Sequence, residues 1–258
     1  MEKHNIDLEK AVLKNGQYYF MDNIPKKLLL KDIMICYFDG LTNKIIPFDI
    51  IRSYPIIHTK YIESNDKSVD ISVIVCPFTL TSLVIEGIFY PTSYVKNSCL
   101  VVSDGVNTFP VIENPPKFTK RYQISVRILR NVFTEYPDCK YMVLNNNIEL
   151  KPLLNIDYFY NKKILFSYDS PPDQFHPKTL VYLIQYKSSK DHNDRVTIIV
   201  GRDANSDKAS GFDIKTSGVL NYLRESDEKI IEKFGFVIPL LWFSWKSFYP
   251  NSKIIFLR

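Results

Sequence analysis

Two stretches of the chain align without a gap: ILRNVFTEYPDCKYMVL, from Ile128 to Leu144, and LWFSWKSFYPNSKIIFL, from Leu241 to Leu257. Self-similarity constrains a fold more than any single motif, because equivalent residues are then expected in equivalent places. The alignment pairs Leu129 with Trp242, Val132 with Trp245, Tyr136 with Tyr249, Pro137 with Pro250 and Lys140 with Lys253. A second pair lies upstream, CYFDGLTNKIIPFDIIRSYP (Cys36 to Pro55) against DYFYNKKILFSYDSPPDQFHP (Asp157 to Pro177). They share Tyr-Phe, an Asn-Lys turn, an Ile-rich run and a closing Tyr-Pro or His-Pro. A fainter third pair sets ISVIVCP (Ile71 to Pro77) against VTIIVGR (Val196 to Arg202). Three pairs in one order predict two tandem halves, residues 28–145 and 150–258, preceded by an arm or edge element over 1–27. In that arm, QYYF is available to pair with a neighbouring strand or a partner.

Short β-branched or aromatic runs bounded by Gly, Pro, Asn, Asp or Ser read as strands. They are KDIMICYF, KIIPFDII, DISVIVCPF, SLVIEGIFY and SCLVVSDG in the first half, and DYFY, KILFSY, TLVYLIQYK and RVTIIVG in the second. Their close spacing favours antiparallel pairing. In the closing unit, Leu241, Trp242, Trp245, Phe248 and Tyr249 share one face of a helix, with Ser244, Lys246 and Ser247 opposite. Pro239 suits a first helical turn and Pro250 a stop. The first copy keeps the same face as Leu129, Val132 and Tyr136. The predicted fold is α+β and strand-dominated: antiparallel sheets in two tandem related halves packed together, each closed by one aromatic-faced helix and a final strand. Leu129, Val132, Tyr136, Trp242, Trp245, Phe248 and Tyr249 are expected in the core.

Composition excludes several classes. With 45% hydrophobic and 14% aromatic residues and only 8 glycines in 258 residues, the chain is neither disordered nor fibrous. Its net charge of +5 is spread out, with no Lys/Arg block longer than two, so electrostatic attraction to nucleic acid is mild. The four cysteines are far apart in sequence and no Asn-x-Ser/Thr sequon occurs, which favours a reducing compartment. No apolar run is long enough to span a bilayer, and MEKHNIDLEK does not read as a signal peptide. The expected location is the cytoplasm or a virion, without secretion. Abundant Asn, Ile, Lys and Tyr beside scarce Gly and Ala is the bias that an AT-rich genome imposes.

RSYPI (Arg52 to Ile56), VIVCPFT (Val73 to Thr79) and the two units ending EYPDCK and FYPNSK resemble an uncharacterised prokaryotic family, a domain of unknown function with two tandem halves. That family carries an Ala-Tyr-Pro segment, a strand ending in Tyr-Cys-Pro-Leu-Cys, and a closing Trp-x-x-Trp/Phe unit followed by His/Tyr-Pro-Asp-Thr. The resemblance covers most of residues 28–258 and implies a fold rather than an activity. The family's second cysteine falls at Thr79 here, which removes the adjacent thiol that a paired-cysteine role would use.

Candidate chemistry is sparse. Cys76 is a nucleophile only if a base and an acid converge on it, and His58, Asp39 and Asp104 are the groups that would have to do so. His176 occupies the place before the closing proline of the second half. Zinc sites draw on close pairs such as Cys-x2-Cys, and none occurs. Asp203, Asn205 and Asp207 mimic the opening of a calcium loop, but Lys208 and Ile214 stand where glycine and the bidentate glutamate belong. The carboxylates Asp32 with Asp39, and Glu135 with Asp138, are pairs by sequence only. No Gly-rich phosphate loop, nucleophile elbow or His-Glu-x-x-His helix is present. The sequence therefore implies no cofactor. Aromatic and basic residues interleave in TKYIE, FTKRYQ and YLIQYKSSK, the pattern of a single-strand nucleic-acid surface.

The function expected first is a non-catalytic structural or interaction protein whose partners are other proteins of a larger assembly, in its specific form a minor virion or capsid-associated component of a large DNA virus. The alternatives are an enzyme or small-ligand-binding protein with a site between the halves around Cys76 and His58, and a weak single-stranded nucleic-acid binder.

Overall fold

The computed structural model describes residues 1–4, 11–23, 32–113, 120–168, 176–185, 196–200 and 236–256. The elements run β1 (Glu2–Lys3), β2 (Val12–Leu13), β3 (Tyr18–Met21), β4 (Ile33–Phe38), β5 (Asn43–Pro47), α1 (Phe48–Ser53), β6 (Ile56–Ile62), β7 (Ser68–Val75) and β8 (Ser82–Glu86). They continue with β9 (Tyr90–Lys96), β10 (Cys99–Ser103), β11 (Thr108–Pro110), β12 (Arg121–Tyr122), β13 (Ile124–Ile128), α2 (Leu129–Glu135) and β14 (Lys140–Leu144). A 3-10 turn at Ile156–Phe159 leads to β15 (Leu180–Gln185), β16 (Val196–Val200) and β17 (Phe236–Leu241), then a 3-10 turn at Trp242–Ser244 and β18 (Lys253–Phe256). Among the described residues strands dominate, and both α-helices are short.

Among the described residues the strands form four sheets, in the orders β1-β9-β10-β11, β12-β8-β7-β6-β2, β13-β4-β5-β14-β3 and β17-β15-β16-β18. Pairing is mainly antiparallel, with parallel contacts at β2 with β6, β5 with β14 and β16 with β18. The set β13-β4-β5-β14 and the whole fourth sheet share one scheme, antiparallel, antiparallel, then parallel, with strands met in the same chain order. Of the three sequence pairs, only the gapless one falls on equivalent strands of this scheme. Cys36 to Pro55 is a hairpin and a helix, whereas Asp157 to Tyr168 is a 3-10 turn and irregular chain. Ile71 to Val75 lies in β7, whereas Val196–Val200 occupies the place of β5.

Residues 1–4 and 11–23 supply edge strands to three sheets, and QYYF is paired within the chain, Tyr18 to Met21 lying against Leu144 to Tyr141.

The β4–β5 hairpin turns on Asp39-Gly40. Asp39 Oδ1 accepts the N–H groups of Leu41 and Thr42 at 3.0 and 2.8 Å, and Gly40 has φ +98°, a conformation that glycine adopts without strain. KIIPFDII, expected as one strand, is strand only to Pro47. Phe48, Ile50 and Ile51 then turn to the core as a helix, with Asp49 in its first turn, where a carboxylate favours the helix dipole. DYFY and KILFSY are not strands either. Asn155 accepts the Asp157 N–H and caps a 3-10 turn, because Asn offers the backbone a local partner that competes with a ladder.

The closing aromatic helix forms in the first copy only. There α2 buries Leu129 and Val132, with Tyr136 half-buried. In the second copy Pro239 lies inside β17 opposite Tyr182, and the expected helix is a 3-10 turn followed by a single bonded turn, Tyr249 N to Trp245 O at 3.0 Å. Two causes are visible. Trp242 N donates to Thr179 O and Phe243 N to Pro177 O, tying the backbone to another segment. Ser244 Oγ also donates to Leu241 O, a local bond that helices tolerate poorly. Trp242, Trp245 and Tyr249 are nonetheless buried, the indole rings 5.5 Å apart, and Phe248 is half-buried.

The two larger core clusters each draw on residues from both the earlier and the later strands. In β15, Leu180, Tyr182 and Ile184 join one hydrophobic cluster with β4, β6 and β13 residues, while Val181 and Leu183 join a second with β8 and β10 residues. β7 divides in the same way, Ile71, Val73 and Val75 against Ile74 and Cys76. Burial on both faces explains why these strands read as unbroken apolar runs. A third, smaller cluster lies under α2. Among the described residues no helix is long and apolar enough to cross a membrane.

Candidate functional site

The four groups that a hydrolytic or nucleophilic site would need are each committed elsewhere. Asp39 holds its hairpin turn and pairs with Lys44 at 3.0 Å. Asp104, exposed, holds the β10–β11 turn through the Asn107 side-chain amide and the backbone N–H groups of Asn107 and Val106, and those bonds keep its carboxyl below the usual range. His58 is buried in β6, its Nε2 2.8 Å from Phe89 O and its ring edge-on to Tyr90. Burial lowers its pKa. Cys76 lies just past the end of β7, with no imidazole or carboxylate among its hydrogen-bond partners. The expected convergence of Cys76, His58, Asp39 and Asp104 is therefore absent. Each residue meets a local backbone need before any common one.

The remaining candidates divide similarly. Glu135 pairs with Arg127 rather than Asp138. His176 accepts the Lys178 N–H at 3.2 Å. Asp203, Asn205 and Asp207 lie outside the described residues. Among the described residues, no group of three or more His, Cys, Asp or Glu is placed to hold a metal ion. The aromatic and basic residues of TKYIE and KRY do meet, but on each other. Tyr61 and Tyr122 stack at 4.0 Å, and Lys120 lies over both rings while pairing with Glu63. Tyr182 of YLIQ is buried.

The fold does assemble a buried knot around the turn Cys76-Pro-Phe-Thr-Leu-Thr81. Leu80 N closes it on Cys76 O, and Cys76 N donates to Thr81 O. From outside the turn, Tyr158 Oη donates to Phe78 O and Leu241 N to Thr79 O. Against this turn β10 delivers Cys99. Leu100 N–H donates to the Cys76 sulfur at 3.2 Å, the Cys76 thiol reaches Ser98 O at 4.0 Å, and Thr79 Oγ1 lies 3.9 Å from Cys99 Sγ. Burial pushes the Cys76 thiol up, but bonds from Cys99, Thr79, Leu100 and Phe78 outweigh it and bring it down to about 7. Burial and the neighbouring sulfur hold Cys99 well above the ordinary value. The sequence offered no signal for this pair, since the partner thiol comes from a different sheet.

Lys178 is a second feature without a sequence signal. It is fully buried, donates to Tyr158 O and to Asn161 Oδ1, and lies 3.5 Å over the Tyr158 ring. Burial lowers its pKa to about 8.

Two cavities flank α1 and share Ile148. One, of ≈ 370 Å³, is lined by Asp32, Asp49, Ile50, Met142, Leu144 and Asn145 among others. The other, of ≈ 460 Å³, is lined by Ser53, Tyr54, Glu149, Lys151 and Leu153 among others. The wall between α1 and residues 149–154 is fixed by Tyr54 Oη to Glu149 O at 2.7 Å, Arg52 to Leu154 O at 3.0 Å and Leu153 N to Arg52 O at 2.8 Å.

Mainly β, with mixed sheets and few helices, is the class the fold defines. Comparison with protein-family models, with curated proteins and with solved structures returned no match.

Proposed function

We propose that the protein is a non-catalytic structural or interaction protein within a larger assembly, in its specific form a minor virion component of a large DNA virus. The observation that carries this reading is the dispersal of Cys76, His58, Asp39 and Asp104, each spent on its own turn or strand. The AT-rich residue bias supports the viral version. The shared strand scheme of the third and fourth sheets supports the further reading that the chain arose by duplication, in keeping with the resemblance to a family of tandem halves. Isolation from the native source under gentle conditions, with mass determined by light scattering, tests the proposal. A stoichiometric protein complex is the expected result, and a free monomer carrying a small molecule would overturn it.

The cavities beside α1 favour one second reading, a small-ligand-binding protein, because a pocket of several hundred Å³ with Ile50, Met142, Val143, Leu144 and Leu150 in its wall and a few polar groups suits such a ligand. A small molecule retained in native mass spectrometry and lost on Ile50→Trp, which fills the first cavity, would establish it.

A further inference from the structure

We propose that Cys76 and Cys99 form a peroxide-sensitive modification site, closing to a disulfide that ties the end of β7 to the start of β10. The geometry carries the assignment. Both thiols are buried in one hydrophobic cluster, and the Cys76 sulfur sits against the backbone on either side of Cys99, accepting Leu100 N–H at 3.2 Å and reaching Ser98 O at 4.0 Å. Thr79 Oγ1 reaches Cys99 Sγ at 3.9 Å, so a hydroxyl stands at the position where a second thiol of the turn would crowd the pair. A sulfur that accepts hydrogen bonds is stabilised as thiolate, the form that reacts with peroxides.

The chemistry balances with hydrogen peroxide as the oxidant. The Cys76 thiolate attacks one peroxide oxygen, an S–O bond forms as the O–O bond breaks, and the departing hydroxide takes up the proton shed by the Cys76 thiol to give water. The Cys99 sulfur then attacks the sulfenic sulfur, an S–S bond forms as the S–O bond breaks, and a second water leaves with the Cys99 proton. Two electrons pass from the sulfurs to the peroxide. A neighbouring thiol intercepts the sulfenic acid before it oxidises further. Enclosure limits the oxidant to one close to water in size.

The molecule contains its own control. Cys36 and Cys139 also neighbour each other, in the small cluster under α2, but no donor set comparable to that of Cys76 offsets their burial, which pushes both thiols up.

The test uses the full-length reduced protein and hydrogen peroxide, with mass spectrometry of peptides digested under non-reducing conditions. The expected result is the loss of two of the four thiols, a mass lower by two hydrogens, a peptide linking Cys76 to Cys99, and reversal by dithiothreitol. Cys99→Ala, if it folds by circular dichroism, should accumulate a Cys76 sulfenic acid captured by dimedone. Thr79→Val supplies a second variant and should slow the loss of thiols severalfold without preventing folding. Cross-linking of Cys36 to Cys139 instead, sulfinic acid at Cys76 with no cross-link, or four intact thiols under peroxide that oxidises free glutathione would each overturn the assignment.

Discussion

Arg127 and Glu135 form an ion pair closed off from water, with Nε 2.9 Å from Oε2, that locks the last strand residues of β13 to the end of α2. Burial alone would pull the guanidinium pKa down, but Tyr182, Tyr136, Cys36 and Glu135 around it hold it above its ordinary value. Removing one partner from such a pair leaves an uncompensated buried charge, whereas replacing both with apolar residues is often neutral. Glu135→Gln should therefore cost about 3 to 5 kcal/mol in urea unfolding. The double variant Arg127→Met/Glu135→Leu should recover most of that loss, and failure to recover it would mean the pair contributes net stability.

Gly40 faces a harder constraint than other positive-φ glycines. A Cβ there would lie 1.8 Å from the carbonyl oxygen of Ile62, whereas at Gly105 it would meet nothing within 4 Å. Positive φ alone costs an alanine about 1 to 2 kcal/mol. Gly105→Ala should stay within that range, and Gly40→Ala should exceed it because the backbone of β6 must move. Equal losses for the two variants, measured by chemical denaturation, would contradict the close approach.

Trp242→Ala and Trp245→Ala should each cost about 3 to 5 kcal/mol, as truncation of buried aromatics does. Both indoles share a cluster with Phe78, Cys99 and Leu100, so the loss should appear in one cooperative transition of the whole chain rather than in the second half alone. Two separated transitions in calorimetry would show that the core is divided.

Lys178 predicts a pH dependence opposite to that of a paired lysine. Its pKa falls to about 8 in the folded chain from an ordinary 10.5, so between those values the unfolded chain binds the extra proton. Stability from this group rises with pH wherever the unfolded state binds more protons. From pH 8 to about 10, below the titration of ordinary tyrosines, the midpoint of urea unfolding should climb, and Lys178→Met should flatten the climb. A flat profile in the parent chain would place the amine in a better-solvated setting.

Several strands were legible because alternation and β-branching report burial directly. MICYF, ISVIV and LVYLIQ are strands of the expected kind, and of the closing unit Trp242, Trp245 and Tyr249 are buried while Phe248 is half-buried. Legibility failed where a short segment carried both signals. FDII alternates poorly as a strand and follows Pro47, and its four residues turn into α1. The WFSW stretch has a helical spacing, yet Ser244 and the donors spent on Thr179 and Pro177 give its backbone other partners. The candidate site failed for a different reason, since proximity in sequence carries no information on whether His58 and Cys76 face the same cluster.

From the sequence alone came the strand-dominated class, because side-chain periodicity and residue size are local properties. Only the tertiary structure decided that β15 is buried on both faces, that Lys178 lies over Tyr158, and that Cys99 meets Cys76 beside Thr79. These depend on which sheets lie against one another, and that is settled by the summed burial of the whole chain rather than by any segment within it.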